Sequence, residues 1–408
     1  MPDIHLHVGL PKTGTSTIQA ALDARVDALA ASGVLYPGGR HRAQRLAAYD
    51  LLGQRVHGED HDGVAGAFPR LASEVAAYAG PSALISEEEL GMARPRQVRR
   101  LARSLGRDRL HVVVGVRDMA RTVVSAWEQN IVTGSTTPWR EFIAAVRDPQ
   151  VSPMPEATAF WVRHDVLRVL DAWGTVVPPE RIRVVTVPPR GVAARCLLDR
   201  FATATGLPPG IWDSGDVAVR NVALGAAEVE AVRRLNDVLV PRLNQDQYRF
   251  VVEDGLRPRL AVARPRPLRL PAEDLPWAKS YAEVLVRELA RRGVVVVGDL
   301  ADLVPDDRAD PGRPFDEVTD GELLEAAEAA LAALALGHGH LFRRYRRAFL
   351  QREGRRPTPQ EVMGSAARAA GFGLRKAALR RTAHNRLLAR AARAYVARTS
   401  GRRTRVED

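Results

Sequence analysis

The sequence predicts a three-layer α/β fold: a mostly parallel central sheet flanked by helices, with a helical basic C-terminal extension. Three observations carry that prediction. Short apolar runs alternate with longer stretches of helical period, the order that builds parallel strands joined by crossover helices. The clearest run, 110–116, is β-branched and apolar on both faces, as a strand covered on both sides must be. The basicity is confined to the C-terminal end. Residues 341–408 hold 19 Lys and Arg against four Asp and Glu, a net +15, so the rest of the chain stands at −3.

A chain of 408 residues with 46% hydrophobic content can bury a large core. The pattern divides it into an α/β domain over 1–300, an Asp- and Pro-rich linker over 301–316, and a helical basic extension over 317–408. The single cysteine, Cys196, excludes an internal disulfide framework and fits a reducing cytoplasm. The first strand candidate begins at Ile4, which leaves no room for a signal peptide, and no apolar run approaches the roughly 20 residues of a membrane span. Abundant Ala, Arg, Gly and Pro with scarce Lys suggest a GC-rich bacterial genome.

In chain order, Ile4 to Val8 reads as a strand and Ser16 to about Leu29 as a helix. A short strand follows over 33–37, then polar loop and short helix over 38–62. His57 and His61 flank Glu59 and Asp60 there, and a solvated loop accounts for them better than a metal site. A helix from Val64 to Ala79 leads to a second buried strand, Ser82–Ser86, and the central strand 110–116 precedes a helix starting near Met119. Pro138 is placed at the first position of another helix. Residues 149–157 read as loop and Ala159–Trp173 as one amphipathic helix. In that helix Phe160, Trp161 and Trp173 pack a core or line an acceptor pocket, and His164 is a minor candidate base. A strand over 181–187, helices over 192–205, 226–244 and 274–292, an Arg/Pro-rich linker over 257–271 and a short strand over 293–298 complete the domain. Thr319 with Glu322, and Thr358 with Glu361, are capping-box signatures. The arginines of 374–398 suit an anionic membrane surface or an acidic partner, and the scarcity of aromatics for base stacking speaks against nucleic acid.

The stretch with the most chemistry is Gly9-Leu10-Pro11-Lys12-Thr13-Gly14-Thr15-Ser16-Thr17. Strand, tight Gly/Pro turn and helix together make an anion cradle, because the first helical turn has unpaired N–H groups and the helix dipole favours negative charge. Thr13, Thr15, Ser16 and Thr17 add hydroxyl donors, and Lys12 adds a point charge. Only three of the 60 basic residues are lysines, at 12, 279 and 376, so a lysine here suggests a need for a compact ammonium rather than a planar fork. A nucleotide-binding Walker A loop has the same glycine separation, but Thr15 stands where its Lys belongs, which argues against an ordinary ATPase or kinase. Glu87, Glu88 and Glu89 follow the second strand, where they either supply a general base or favour the start of the next helix. Arg117 leaves the central strand and Ser125 lies eight residues on, so the two either converge on one anion or Arg117 forms a surface pair with Asp118.

Two of these stretches resemble one family. His7 to Gln19 resembles the 5′-phosphosulfate loop of sulfotransferases that use 3′-phosphoadenylyl sulfate (PAPS), a fold of P-loop NTPase-like architecture. Val112 to Asn130, with Arg117 and Ser125 in register, resembles their 3′-phosphate segment. Ile85 to Glu88 is similar to the strand end that supplies a carboxylate in some members, and Asn221 to Asn236 to a late helix of bacterial members. The resemblance covers about residues 3–300. It implies in-line transfer of a sulfuryl group to an acceptor hydroxyl or amine, with adenosine 3′,5′-bisphosphate (PAP) leaving and no metal required. Lys12 would stabilise the bridging oxygen, Pro11 to Thr17 would surround the 5′-phosphate, and Arg117 and Ser125 would hold the 3′-phosphate. Many members use a His as base; here Glu88 matches by register and Glu87 comes second. Bacterial relatives suggest a small-molecule, carbohydrate or lipid-linked acceptor; the single cysteine and the basic tail place the work in the cytoplasm or peripherally at the inner membrane face. The alternatives are a P-loop kinase or NTPase, and a non-catalytic scaffold whose basic tail binds a partner or membrane.

Overall fold

The computed structural model describes residues 2–54, 63–213, 224–260, 268–305, 315 and 317–352, with the side chains of the last helix described to residue 349. Its frame is a six-stranded sheet in the order β2-β3-β1-β4-β5-β6, every neighbouring pair parallel. The strands are β1 Asp3–His7, β2 Val34–Leu35, β3 Ser82–Ser86, β4 Leu110–Val116, β5 Ile182–Thr186 and β6 Val295–Val297. Strand period explains the layers. In β4, Val112, Val114 and Val116 join Ile4 and Leu6 of β1 in one core, while Val113 points to the other face with Leu84 and Val185.

Helices fill both faces. They run α1 Thr15–Asp23, α2 Val26–Ala31, α3 His41–Leu52, α4 Ala67–Ala77, α5 Pro95–Leu105 and α6 Met119–Val132. Next come α7 Trp139–Arg147, α8 Pro155–His164, α9 Val166–Gly174, α10 Ala194–Thr205 and α11 Ala226–Leu239. The last are α12 Gln245–Tyr248, α13 Arg257–Leu260, α14 Leu275–Arg292 and α15 Asp320–Arg352. Helices α3, α4, α5 and α9 cover the first core, and α1 and α10 the second. A third core around Trp127, Trp139 and Phe142 ties α6, α7, α8, α11 and α14 together.

Several elements differ from the sequence expectation, each for a local reason. The helix expected over 16–29 is two, α1 and α2, separated at Ala24 and Arg25, where the buried Arg25 turns its guanidinium onto Ala21 O. The short helix expected within the polar stretch 38–62 is present as α3 but runs three turns, its buried residues His41, Gln44, Ala47, Ala48 and Leu51 keeping helical spacing with polar side chains in two apolar places. Asp165 breaks the expected helix 159–173 in two and caps the second half by accepting the Arg168 N–H. Helix α8 starts within the expected loop, with Pro155 in its first turn, whereas Pro138 caps α7 from outside. The stretch expected as a linker from 257 begins as helix α13, continuous with a π-helical turn over Arg249–Leu256. The Thr319–Glu322 capping box is formed, whereas Thr358, Glu361, His57 and His61 lie outside the described residues.

The chain divides into two units, Met1–Ala335 and Leu336–Asp408. The first contains the sheet. The described part of the second is helical and exposes Leu341, Phe342, Tyr345 and Phe349 among Arg343, Arg344, Arg346 and Arg347. Among the described residues no helix is long and apolar enough to cross a membrane.

Candidate anion-binding site

Strand order reverses around β1, whose neighbours are β3 on one side and β4 on the other. In an open parallel sheet such a switch point leaves a crevice beyond the carboxyl ends of the strands. Three connections meet there: the loop after β1, the turn after β3 and the start of α6 after β4.

The loop after β1 is built by backbone. Val8 N–H donates to Val113 O at 3.0 Å, Leu10 N–H to Gly115 O at 3.1 Å, and Gly115 N–H to Gly9 O at 2.6 Å. Gly9, Lys12 and Gly14 have φ of 101°, 67° and 88°. Glycine takes such angles freely, but a lysine there costs about 1–3 kcal/mol and persists only where its surroundings impose it. Arg117 Nη1 donates to Lys12 O at 2.8 Å, and Lys12 Nζ donates to Gln129 Oε1 at 2.9 Å, so the residue is held at both ends. Two neighbouring glycines make room for the loop. A Cβ on Gly115 would lie 2.7 Å from Thr13 Oγ1, and one on Gly91 would lie 2.7 Å from Val8 O.

Helix α1 starts from Gly14 with no side-chain cap, so its amino end stays free for an anion. The hydroxyls around it are used unequally. Thr13 is buried and donates to Leu10 O at 2.6 Å, closing the turn. Thr15 donates a short hydrogen bond to Glu88 Oε2. Ser16 is exposed, Thr17 is buried, and Pro11 is half-buried.

The two candidate bases are adjacent in sequence and opposite in setting. Glu87 is 1% exposed; its Oε2 lies 2.7 Å from His41 Nε2 and its Oε1 accepts the Glu89 N–H at 3.2 Å. It caps and anchors the 3₁₀ turn Glu88–Met92, so it is committed to structure. Glu88 is half-buried and faces the cradle: its main chain packs on Gly9 and its carboxylate reaches Thr15. Glu89 is half-buried, and burial first, then the charges of Glu87 and Glu88, push its carboxyl above the usual range.

Burial lowers the Lys12 ammonium to about 8; Arg257 and Arg117 add to that, and Glu128 and Glu88 oppose it. Burial and then Arg121 bring Arg117 down to about 10. Arg117 spends its fork on two carbonyls, Lys12 O and Arg121 O, and its buried Nε has no hydrogen-bond partner. It clamps the loop. Asp118 pairs with Arg121 rather than Arg117. Ser125 is half-buried on α6, one turn before the Gln129 that holds Lys12 and on the same face. His164 is buried with Nδ1 unpartnered; burial first, then Arg163, Lys12 and Arg117, lower it to about 3, so it stays neutral.

The structure therefore assembles Lys12, Thr15, Glu88 and Arg117 at one place, and assigns Thr13 and Glu87 to holding it together. Gln129, Glu128 and His41 escaped the sequence reading. Gln129 and Glu128 lie twelve and eleven residues beyond Arg117 on α6, and periodicity gives no sign that they turn back to the loop. Among the described residues no group of three or more His, Cys, Asp or Glu is placed to hold a metal ion. No protein-family profile matches the chain, no curated protein matches its sequence and no solved structure matches its fold.

Proposed function

We propose that the chain is a PAPS-dependent sulfotransferase that moves a sulfuryl group to an acceptor hydroxyl or amine. One observation carries the reading: a half-buried, backbone-strained lysine in an uncapped anion cradle stands opposite a carboxylate bonded to the first residue of the cradle's own helix. A strained site with a perturbed lysine and a nearby carboxylate is the kind of place where charge is managed during a reaction.

The charges present suit such a co-substrate. The free end of α1 and the Lys12 ammonium suit a 5′-phosphosulfate, and the unpartnered Arg117 Nε suits a further phosphate. With its pKa near 8, Lys12 is charged at neutral pH and acidic enough to share its proton with a leaving oxygen. It would neutralise the charge that builds as the S–O bond breaks, a role worth about 3–4 kcal/mol for one well-placed donor. Glu88 would take the proton that the acceptor gives up as its oxygen bonds to sulfur. Thr15 holds that carboxylate against the cradle.

The test is thermal stability with PAP, ADP or ATP–Mg²⁺. A ligand at 100 times its dissociation constant adds about 2.7 kcal/mol. Stabilisation by PAP well above ADP, without Mg²⁺ and weakened in Lys12→Ala, supports the reading; a preference for ATP–Mg²⁺ overturns it in favour of a kinase or NTPase. The single Cys196 fits work in a reducing cytoplasm. We propose further that the basic extension rests on an anionic membrane surface, supported by the exposed Phe342, Tyr345 and Phe349 among its arginines. Unchanged binding to phosphatidylserine vesicles after removal of residues 341–408 would sink that idea.

A further inference from the structure

A groove of about 600 Å³ runs along the outer face of α8. One wall is Met92, the last residue of the turn that Glu88 begins; the other is Met154, Pro155, Ala159 and Val162. Four residues of 3₁₀ helix span about 8 Å, so the groove opens within that reach of Glu88 along the turn. The walls are fixed to each other. Arg168 Nη2 donates to Gly91 O at 2.8 Å and to Val162 O at 2.5 Å, one carbonyl from each side.

Helix α8 also links the groove to the cradle. Its outward residues Thr158, Ala159, Val162 and Arg163 are exposed, while its inward residues Ala157, Phe160 and His164 are buried. His164 stands within electrostatic reach of Lys12 and Arg117, and Arg163, at the groove rim, within reach of Glu89. One helix therefore has the groove on its outer side and, on its inner side, a histidine within electrostatic reach of Lys12 and Arg117.

The lining decides what fits. A free sugar is recognised through many hydrogen bonds, because each of its hydroxyls loses water on binding. Here Thr158 and Arg163 alone among the described lining residues carry hydrogen-bonding side chains. The rest is thioether, proline ring, methyl and isopropyl surface, which gains from apolar contact and offers nothing to a polyol. The volume lies within the range of ordinary small-molecule sites.

We propose that this groove holds the apolar part of the acceptor, and that the acceptor is an amphiphile: a hydroxyl or amine on an alkyl or aryl body, its polar end directed along the Glu88–Met92 turn to Glu88. The inference rests on the sulfuryl-transfer reading for the chemistry, and on the groove alone for the class of acceptor. Thr158 and Arg163 serve the polar end, and the Met92 and Met154 side chains adapt to the shape of the body.

The probe is an undecanol carrying bromine at the end remote from its hydroxyl. Trp161 is next to Val162 on α8, so bromine in the groove quenches its fluorescence. The full-length protein should show saturable quenching that Trp161→Phe removes. Val162→Asp and Ala159→Glu change exposed positions and leave the fold intact. Each should raise the dissociation constant at least tenfold while stabilisation by PAP is unchanged. Undecanol should be sulfated and glucose should not. Absence of saturable quenching in the wild type, equal quenching in both variants, or sulfation of glucose in preference to undecanol overturns the proposal. If PAP fails to stabilise the protein, the sulfuryl-transfer reading falls. Quenching that survives that result shows an apolar-ligand groove that is not an acceptor site, which overturns the proposal in its stated form.

Discussion

The two ends of the sheet both carry perturbed ionisable groups, and only one has the makings of a site. Toward the amino ends of β1 and β4, the His5 ring stacks on His111 with centroids 5.1 Å apart, and Arg183 Nη1 lies 3.1 Å from His111 Nδ1. Burial first, then His111 and Arg183, lower His5 to about 4. At the carboxyl ends, burial lowers Lys12 to about 8. By shifted titration alone the two look alike. They differ in backbone. The carboxyl end has three positive-φ positions within one loop, at Gly9, Lys12 and Gly14, and an uncapped helix. The amino end has regular strand, with Asp3 beside the stacked imidazoles. A shifted pKa marks burial; a strained, open loop around it marks chemistry.

The sharpest way to break that comparison is to remove one group from each end. Lys12→Ala should lower kcat about a thousandfold in a PAPS assay, whereas His5→Gln should change it less than twofold. Equal effects would erase the distinction between the ends.

Next comes the contrast within the carboxyl end, between Glu87 and Glu88. Glu87→Gln leaves His41 beside a neutral amide in a buried place and should cost about 3 kcal/mol of stability, read as a lowered denaturant midpoint. Glu88→Gln should leave the midpoint within about 0.5 kcal/mol and lower kcat about a hundredfold. Reversed phenotypes would reassign the base to Glu87.

The response to pH separates chemistry from stability. On the sulfuryl-transfer reading Lys12 must be charged, so kcat should fall as pH rises through about 8. The buried histidines act on stability instead. Burial takes His7 and His164 to about 3, against 6.5 in the unfolded chain. Between those values the unfolded chain binds protons that the folded chain refuses, so stability falls as pH drops below 6.5, by about 2 kcal/mol per histidine at pH 5. Thermal scans from pH 5 to 9 and a kcat profile over the same range would show the two effects at opposite limits.

The smallest expected effect concerns the glycine that lets the loop approach β4. Gly115→Ala pushes a methyl against Thr13 Oγ1 and should cost about 1–2 kcal/mol, with a loss of PAP affinity larger than that of stability. An effect on stability alone would mean that the loop relaxes without disturbing the cradle.

How much of this was legible beforehand follows from what periodicity encodes. The parallel strands were legible because Leu110 to Val116 and Ser82 to Ser86 are apolar runs that no helix stripe explains. A short helix was expected within 38–62, but the extent and inward face of α3 were not legible because His41 and Gln44 occupy inward positions that a hydrophobic pattern expects to be apolar. They face inward because polar atoms there have partners: Gln44 Nε2 donates to Pro37 O, its Oε1 accepts the Ser86 N–H, and His41 meets Glu87. The cradle was legible from its glycines and hydroxyls. Which hydroxyl closes the turn and which faces outward was not, because that depends on contacts across more than 70 residues of chain, such as Thr15 with Glu88.

The left-handed backbone at Lys12 has a consequence for anyone who selects this protein for robustness. Glycine or asparagine would sit there with less strain, and glycine would also free a buried amine from desolvation. A screen that rewards heat resistance alone should therefore drift toward Lys12→Gly and, on the sulfuryl-transfer reading, enrich a sturdier, inert protein. On that reading durability and turnover compete at a single residue, and a library built for stability has to hold position 12 fixed.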